Sequence, residues 1–237
     1  MVLNWDHEGE SFIVALNKHT GEEIWRRDRD ERTSWSTPLI VDVGGEAQVI
    51  VAATNRSRAY TLESGEDIWE IAGMTVNTIP SPVIANGIVY LTSGFRGAAV
   101  RAVDVSKAKG DITDTDSVVW SYDQDTPYVP STLVYNDKIY FMKGNRGILS
   151  VLDARIGEPI YTRQRLEGIS AIYASPVAAA GHVYLTGRKG TTLVLSDSDT
   201  YEVVSTNVLA EEEDALLALS GDQIFIRGNQ SLYCISE

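Results

Sequence analysis

The sequence predicts an all-β fold, a β-propeller of four-stranded antiparallel blades, and three observations predict it. Segments of the chain repeat one another. Ser175–Thr200 (SPVAAAGHVYLTGRKGTTLVLSDSDT) and Ser81–Asp104 (SPVIANGIVYLTSGFRGAAVRAVD) align Ser-Pro-Val on Ser-Pro-Val and Val-Tyr-Leu-Thr on Val-Tyr-Leu-Thr. The apolar runs are short, rich in β-branched residues and bounded by Gly, Asn, Asp and Ser, which are strand and turn signals, and no helical period of useful length interrupts them. The copies are also evenly spaced. Ser81, Ser131 and Ser175 lie 50 and 44 residues apart, and Tyr90, Tyr140, Tyr184 and Phe225 lie 50, 44 and 41 apart. A period of about 40–50 residues built from four strands is that of a propeller blade.

With the strands of one repeat lettered A to D, each copy can be placed in order. Met1–Trp5 reads as a B strand, Ser11–Leu16 as C and Glu22–Trp25 as D. The second copy has A at Ser36–Val43, B at Gln48–Ala53, C at Ala59–Leu62 and D at Glu66–Trp69. The third has Ser81–Ala85, Ile88–Thr92, Ala99–Val103 and Val118–Tyr122. The fourth has Ser131–Tyr135, Lys138–Met142, Leu149–Leu152 and Glu158–Thr162. Ser175–Thr200 supplies A, B and C of the fifth, and Glu202–Val208 its D. A last copy gives Ala215–Leu219, Gln223–Arg227 and Ser231–Ile235. The one long interval traces to Ser106–Ser117 (SKAKGDITDTDS), a polar insertion that is expected to enlarge a C–D turn without touching the strands.

A family resemblance enters at the C–D turns. Thr20-Gly21-Glu22-Glu23-Ile24-Trp25, Ser64-Gly65-Glu66-Asp67-Ile68-Trp69 and Ile156-Gly157-Glu158-Pro159-Ile160-Tyr161 resemble the turn-plus-tryptophan element of PQQ-like β-propeller repeats. The Ser-Pro-Val and Val-Tyr-Leu pieces belong to the same pattern, and the resemblance covers essentially the whole chain. The family includes quinoprotein dehydrogenases, outer-membrane assembly lipoproteins, sensor domains and secreted proteins, so the resemblance implies the fold more sharply than the function. Its dehydrogenases bind the quinone and a calcium ion through acidic and amide side chains, and several carry adjacent cysteines over the cofactor. This chain has a single cysteine, Cys234, and no acidic cluster that matches the calcium ligands. Neither PQQ nor calcium is therefore expected. The resemblance also implies a bacterial protein that is periplasmic or secreted.

Blade counting adds an expectation. Four copies are complete, the first lacks A and the last lacks D, giving 22 strands. The two partial blades cannot merge into one, since each holds its own B and C, and repeat units bury their apolar faces only against neighbours. The expected reading is one propeller domain over 1–237, N-terminally truncated from a propeller of seven or eight blades. The alternative is a six-bladed ring with two thin blades.

Composition bounds the partners. The net charge of −13 argues against a nucleic-acid backbone, which requires a basic face. No apolar run reaches the roughly 18 residues that would span a membrane. The N-terminal MVLNWDHEGESF lacks the basic and apolar regions of a signal peptide. The lone Cys234 excludes an internal disulfide and a multi-cysteine metal site.

Catalytic patterns are absent. His7, His19 and His182 fall in different blades without a partner at metal-ligand spacing and read as surface polar residues. There is no Gly-x-Ser-x-Gly elbow, and Gly187-Arg188-Lys189-Gly190 is a turn with two cations rather than a phosphate loop. Asp111, Asp114 and Asp116 alternate in the insertion but lack the Gly and Glu of a calcium loop, so they read as solvated turn residues. Trp25, Trp69 and Trp120 recur at one blade position, as do Tyr90, Tyr140 and Tyr184, which marks packing between blades rather than a ligand platform.

Binding is expected at positions that share a place but differ between blades. The segments before each A strand connect blades at the face where such propellers bind, near the central channel. They supply five candidate ligand-binding residues: Arg32, Trp35, Asn77, Tyr128 and Tyr173. Aromatics with Arg32 and Asn77 around one mouth would suit a peptide, a sugar or a planar ligand, although the same side chains would also serve to plug the channel. Glu211-Glu212-Glu213-Asp214 holds the equivalent place before the last A strand, as a repulsive sector or a soluble loop. Two functions follow: a non-catalytic binding or scaffold propeller for a protein, peptide or glycan partner, or an enzyme with its site in the channel.

Overall fold

The computed structural model describes residues 1–236. The chain is all strand and turn, in two compact units, Met1–Tyr128 and Val129–Glu237. In the first unit, β1 (Val2–Trp5), β2 (Ser11–Leu16) and β3 (Glu23–Arg29) form the first sheet. The second blade is β4 (Leu39–Val43), β5 (Glu46–Val51), β6 (Ser57–Thr61) and β7 (Asp67–Ile71). The third is β8 (Val83–Ala85), β9 (Ile88–Ser93), β10 (Ala99–Asp104) and β12 (Val118–Tyr122), with β11 (Gly110–Asp111) between the last two in sequence. In the second unit, β13 (Leu133–Tyr135), β14 (Lys138–Met142), β15 (Ile148–Asp153) and β16 (Pro159–Arg165) make the fourth blade. The fifth is β17 (Val177–Ala179), β18 (His182–Thr186), β19 (Thr191–Ser196) and β20 (Val203–Val208). The sixth sheet is β21 (Ala218–Ser220), β22 (Gln223–Arg227) and β23 (Leu232–Ile235).

The blades follow from local chemistry. Tight A–B hairpins need two residues of positive φ, which Asn86 (50°) and Gly87 (77°) supply in the third blade. The central B and C strands carry the buried runs, such as Val49–Ala53 in the second blade and Ile139–Met142 in the fourth, because they are covered on both faces. Every C–D pair in the first five blades has the same register irregularity, between Ala15 and Leu16, Ala59 and Tyr60, Ala102 and Val103, Val151 and Leu152, and Val194 and Leu195. It sets one D-strand residue opposite the first of each pair: Trp25, Trp69, Trp120, Tyr161 and, in the fifth blade, Ser205.

Trp25, Trp69 and Tyr161 join blades, as the spacing implied for the two tryptophans. Trp25 is buried and donates from Nε1 to the Leu62 carbonyl of the next blade at 2.9 Å. Trp69, 1% exposed, packs in one apolar cluster with Val89, Leu91 and Val103 of the next blade. The recurrent serine before proline has a second joining role. The backbone N–H of Thr37 donates to Ser81 Oγ at 3.0 Å, and that of Ser131 to Ser175 Oγ at 2.9 Å, so the A strand of the second blade is tied to that of the third and the A strand of the fourth to that of the fifth.

The polar insertion behaves differently from the sequence expectation, since it does touch a strand. β11 pairs in parallel with the D strand of the preceding blade, Gly110 with Trp69 and Asp111 with Glu70. The Ile112 N–H donates to the Glu70 carbonyl at 2.9 Å, and its side chain is 1% exposed beside Trp69. The reason is one apolar residue in a polar loop: burying Ile112 pulls the loop across the edge of β7, which would otherwise offer unpaired backbone groups.

Candidate functional site

In the first unit the end of β1 and the linker into β4 converge on a cleft of about 300 Å³, lined by Asn4–Glu8 and Thr33–Ser36. Its floor is ionic. Asp6 and Arg29 have fully buried side chains, with Arg29 Nε and Nη2 at 2.8 and 3.1 Å from the two carboxylate oxygens. Asp6 also accepts from Asn4 Nδ2 at 3.0 Å and from the Ser34 hydroxyl, while Arg29 Nη1 donates to the Tyr60 hydroxyl. Burial works against the Arg29 charge, yet the hydrogen bond to Asp6 and the fields of Tyr60, Asp6 and Glu31 hold its pKa above the ordinary value. An ion pair with this fork geometry fixes the two segments relative to one another.

The walls are aromatic and open. Trp35 is 66% exposed and Trp5 56% exposed. Trp5 meets His7 edge-on at 5.6 Å between centroids and stacks with Phe12 at 6.4 Å, and the Arg26 guanidinium lies 4.0 Å over the Phe12 ring. The side-chain oxygen of Asn4 is buried without a partner. The backbone under Trp35 is held on both sides: its N–H donates to the Thr78 carbonyl at 2.8 Å, and Ser34 bridges to Asp6 and to Thr78. Chemically, the cleft offers two indole faces for stacking.

The five residues expected to bind do not form one cluster. Trp35 lines this cleft. Arg32 is exposed in the same linker, and Asn77, at φ 55°, precedes the Thr78 that braces it. Tyr128 belongs to a separate group in the first unit, stacked on Phe95 at 4.7 Å, with the Arg96 guanidinium 5.2 Å from the centroid of the Phe95 ring. Tyr173 lies in the second unit with the Arg188 guanidinium 4.2 Å above its ring, and Arg188 is paired to Asp214 at 2.5 and 2.9 Å. Sequence reasoning missed Trp5, Asn4 and His7; a tryptophan in a B strand, away from the recurrent D-strand position, was the available signal.

Two further expectations are refined. The acidic run is a tie rather than a solvated loop: Glu211 accepts from the Ser231 N–H at 3.0 Å and the Tyr233 hydroxyl at 2.6 Å, and Glu213 is 1% exposed. Asp111 accepts from the Thr113 hydroxyl at 2.6 Å and N–H at 3.0 Å and from Arg56 at 2.8 Å, contacts that hold its pKa down at about 2. Among the described residues no group of three or more His, Cys, Asp or Glu is placed to hold a metal ion.

The family model for outer membrane protein assembly factor BamB, a PQQ-repeat model, matches residues 9–237. The chain belongs to this family. The Dos1 propeller and a quinohemoprotein dehydrogenase share the fold. The Dos1 propeller superposes with a TM-score of 0.71 at 11% identity, over 97% of this chain and 63% of that one. Quinohemoprotein alcohol dehydrogenase from Comamonas testosteroni gives 0.58 at 14% identity, over 88% of this chain and 41% of that one. BamB from Moraxella catarrhalis gives 0.49 at 13% identity, over 98% and 80%. The chain thus spans well under two thirds of the dehydrogenase and slightly less than two thirds of the Dos1 propeller. Among curated proteins none matches in sequence. The family sets the fold class as an all-β propeller, and no helix among the described residues is long and apolar enough to cross a membrane.

Proposed function

We propose that the chain is a non-catalytic scaffold propeller that holds a protein partner at the cleft of its first unit, in the periplasm at the outer membrane, with no PQQ or calcium bound. The family's description as an assembly factor supports the setting. The observation that carries the reading is Trp35, 66% exposed on a backbone braced by Thr78 and by the buried Asp6–Arg29 pair. A large aromatic presented on rigid backbone is the usual anchor of a protein interface, because little entropy is lost when it is covered. Arg32 lies in the same linker, Asn77 precedes the bracing Thr78, and Trp5 supplies a second anchor across the cleft.

A photo-crosslinking amino acid at position 35, in the full protein in its native cells, tests this. One discrete polypeptide adduct that disappears in Trp5→Ala is expected. Absence of any adduct, together with a quinone-sized mass gain on adding PQQ and calcium, would overturn the reading in favour of an enzyme.

A further inference from the structure

The position filled by Trp25, Trp69, Trp120 and Tyr161 in the first four blades is held by Ser205 in the fifth. The surroundings have not changed to match. Trp69 packs against Val89, Leu91 and Val103 of the blade that follows it. The sixth sheet has the same register as the third, with Ala218 opposite Phe225 as Val83 is opposite Tyr90. Ile224 pairs with Ile235 as Val89 pairs with Val103. Ile224, Ile226 and Ile235 therefore stand where Val89, Leu91 and Val103 stand around Trp69. Those three side chains, with Val194, Tyr184 and Leu217, line an apolar cavity of about 180 Å³. The tryptophan slot is present and the tryptophan is not.

We propose that this cavity binds a planar aromatic molecule of indole size. The volume is adequate, since a dry cavity of about 150 Å³ lined by aliphatic and aromatic side chains accepts benzene. The driving force is general: the lining of an unfilled apolar cavity lacks dispersion partners on one side, and a flat ring restores them while leaving water. Polarity fits an N–H-bearing ring. In the first blade the Trp25 Nε1 donates to a backbone carbonyl. Around the empty slot Thr192, Asn207 and Tyr184 are the side chains of the lining that carry polar groups, and each has an oxygen able to accept such a bond. A charged amino acid would have to desolvate its ammonium and carboxylate there, so the ligand is a neutral ring.

The test is titration of the whole chain with indole, followed by methyl NMR of Ile224, Ile226 and Ile235. Saturable shifts at these methyls, with half-saturation at or below about 1 mM, are expected, and zwitterionic tryptophan should give none. Ser205→Trp should fill the slot, raise the melting temperature and weaken indole binding by at least about tenfold. If that variant does not fold, Val194→Phe, which adds a ring from the cavity wall, must produce the same loss. No saturable shift in the wild type, or binding that survives both substitutions, overturns the proposal.

Discussion

Trp25 stands on Gly65 of the next blade: a Cβ on Gly65 would fall 2.5 Å from the Cε3 of the indole. Gly65 is also in the left-handed region, at φ 72°, so its lack of a side chain serves both the turn and the ring above it. Arg27 completes the joint by donating from Nε to the Gly65 carbonyl at 2.8 Å. Gly65→Ala should lose at least about 2 kcal/mol, from strain plus overpacking. Gly87→Ala, at φ 77° with open space around it, should lose only about 1 kcal/mol. Urea denaturation of the two variants checks this, and equal losses would mean that the ring does not rest on Gly65.

The buried Asp6–Arg29 pair should be costly to break singly and cheap to replace together. Asp6→Asn leaves an unpaired guanidinium with no exposed side-chain surface, and a loss of about 3–5 kcal/mol is expected. Asp6→Leu with Arg29→Met should recover most of it. Thermal melts of the single and double variants decide the matter.

Glu213 supplies a pH dependence. Burial, and then the neighbouring Glu211 charge, raise its pKa above the ordinary glutamate value, and neither carboxyl oxygen has a partner. A carboxyl whose pKa is raised by folding contributes stability that is full below its unfolded pKa and is lost as pH rises through the folded one. Wild type should therefore lose stability relative to Glu213→Gln as pH rises from about 4 towards neutrality. A difference that stays constant across that range would refute the assignment.

Ile112 anchors the insertion to the second blade. Ile112→Ala should cost about 2–5 kcal/mol and release amide protection along β7, read by hydrogen exchange. Asp114→Ala in the same loop should change little.

Tryptophan exposure can be read optically. Trp5 and Trp35 are open while Trp25, Trp69 and Trp120 are at most 9% exposed. Acrylamide should quench a red-shifted fraction of the emission that vanishes in Trp5→Phe/Trp35→Phe. Persistence of that fraction would place another tryptophan in water.

The strands were legible because period-2 burial and turn residues are local properties. Lys138–Met142 and Gln223–Arg227 are read at their observed bounds, and the D-strand aromatics announce their role by recurrence alone. What sequence could not reveal are features made by segments far apart. The cleft joins Asn4–Glu8 to Thr33–Ser36, and periodicity says which face a residue is on but not which loops meet. Asp6 and Arg29, 23 positions apart, look like ordinary surface charges until the fold brings one beneath the other. β11 was missed because its pairing serves a neighbouring blade, whereas the reading assigned each loop to its own. The substitution of Ser205 for an aromatic was visible in the sequence, but its consequence needed the walls of the slot.

The aromatic joints point forward along the chain, whereas the β11 insertion reaches back. Trp25 reaches forward to the second blade, Trp69 to the third and, in the second unit, Tyr161 to Tyr201 of the fifth. During synthesis the second, third and fifth blades each leave the ribosome to find a ring already waiting, so assembly within each unit can keep pace with translation from the N-terminal side. The relay stops at Ser205. The sixth sheet receives no such ring, and the fraying of this protein, under heat or protease, should start there and run backwards.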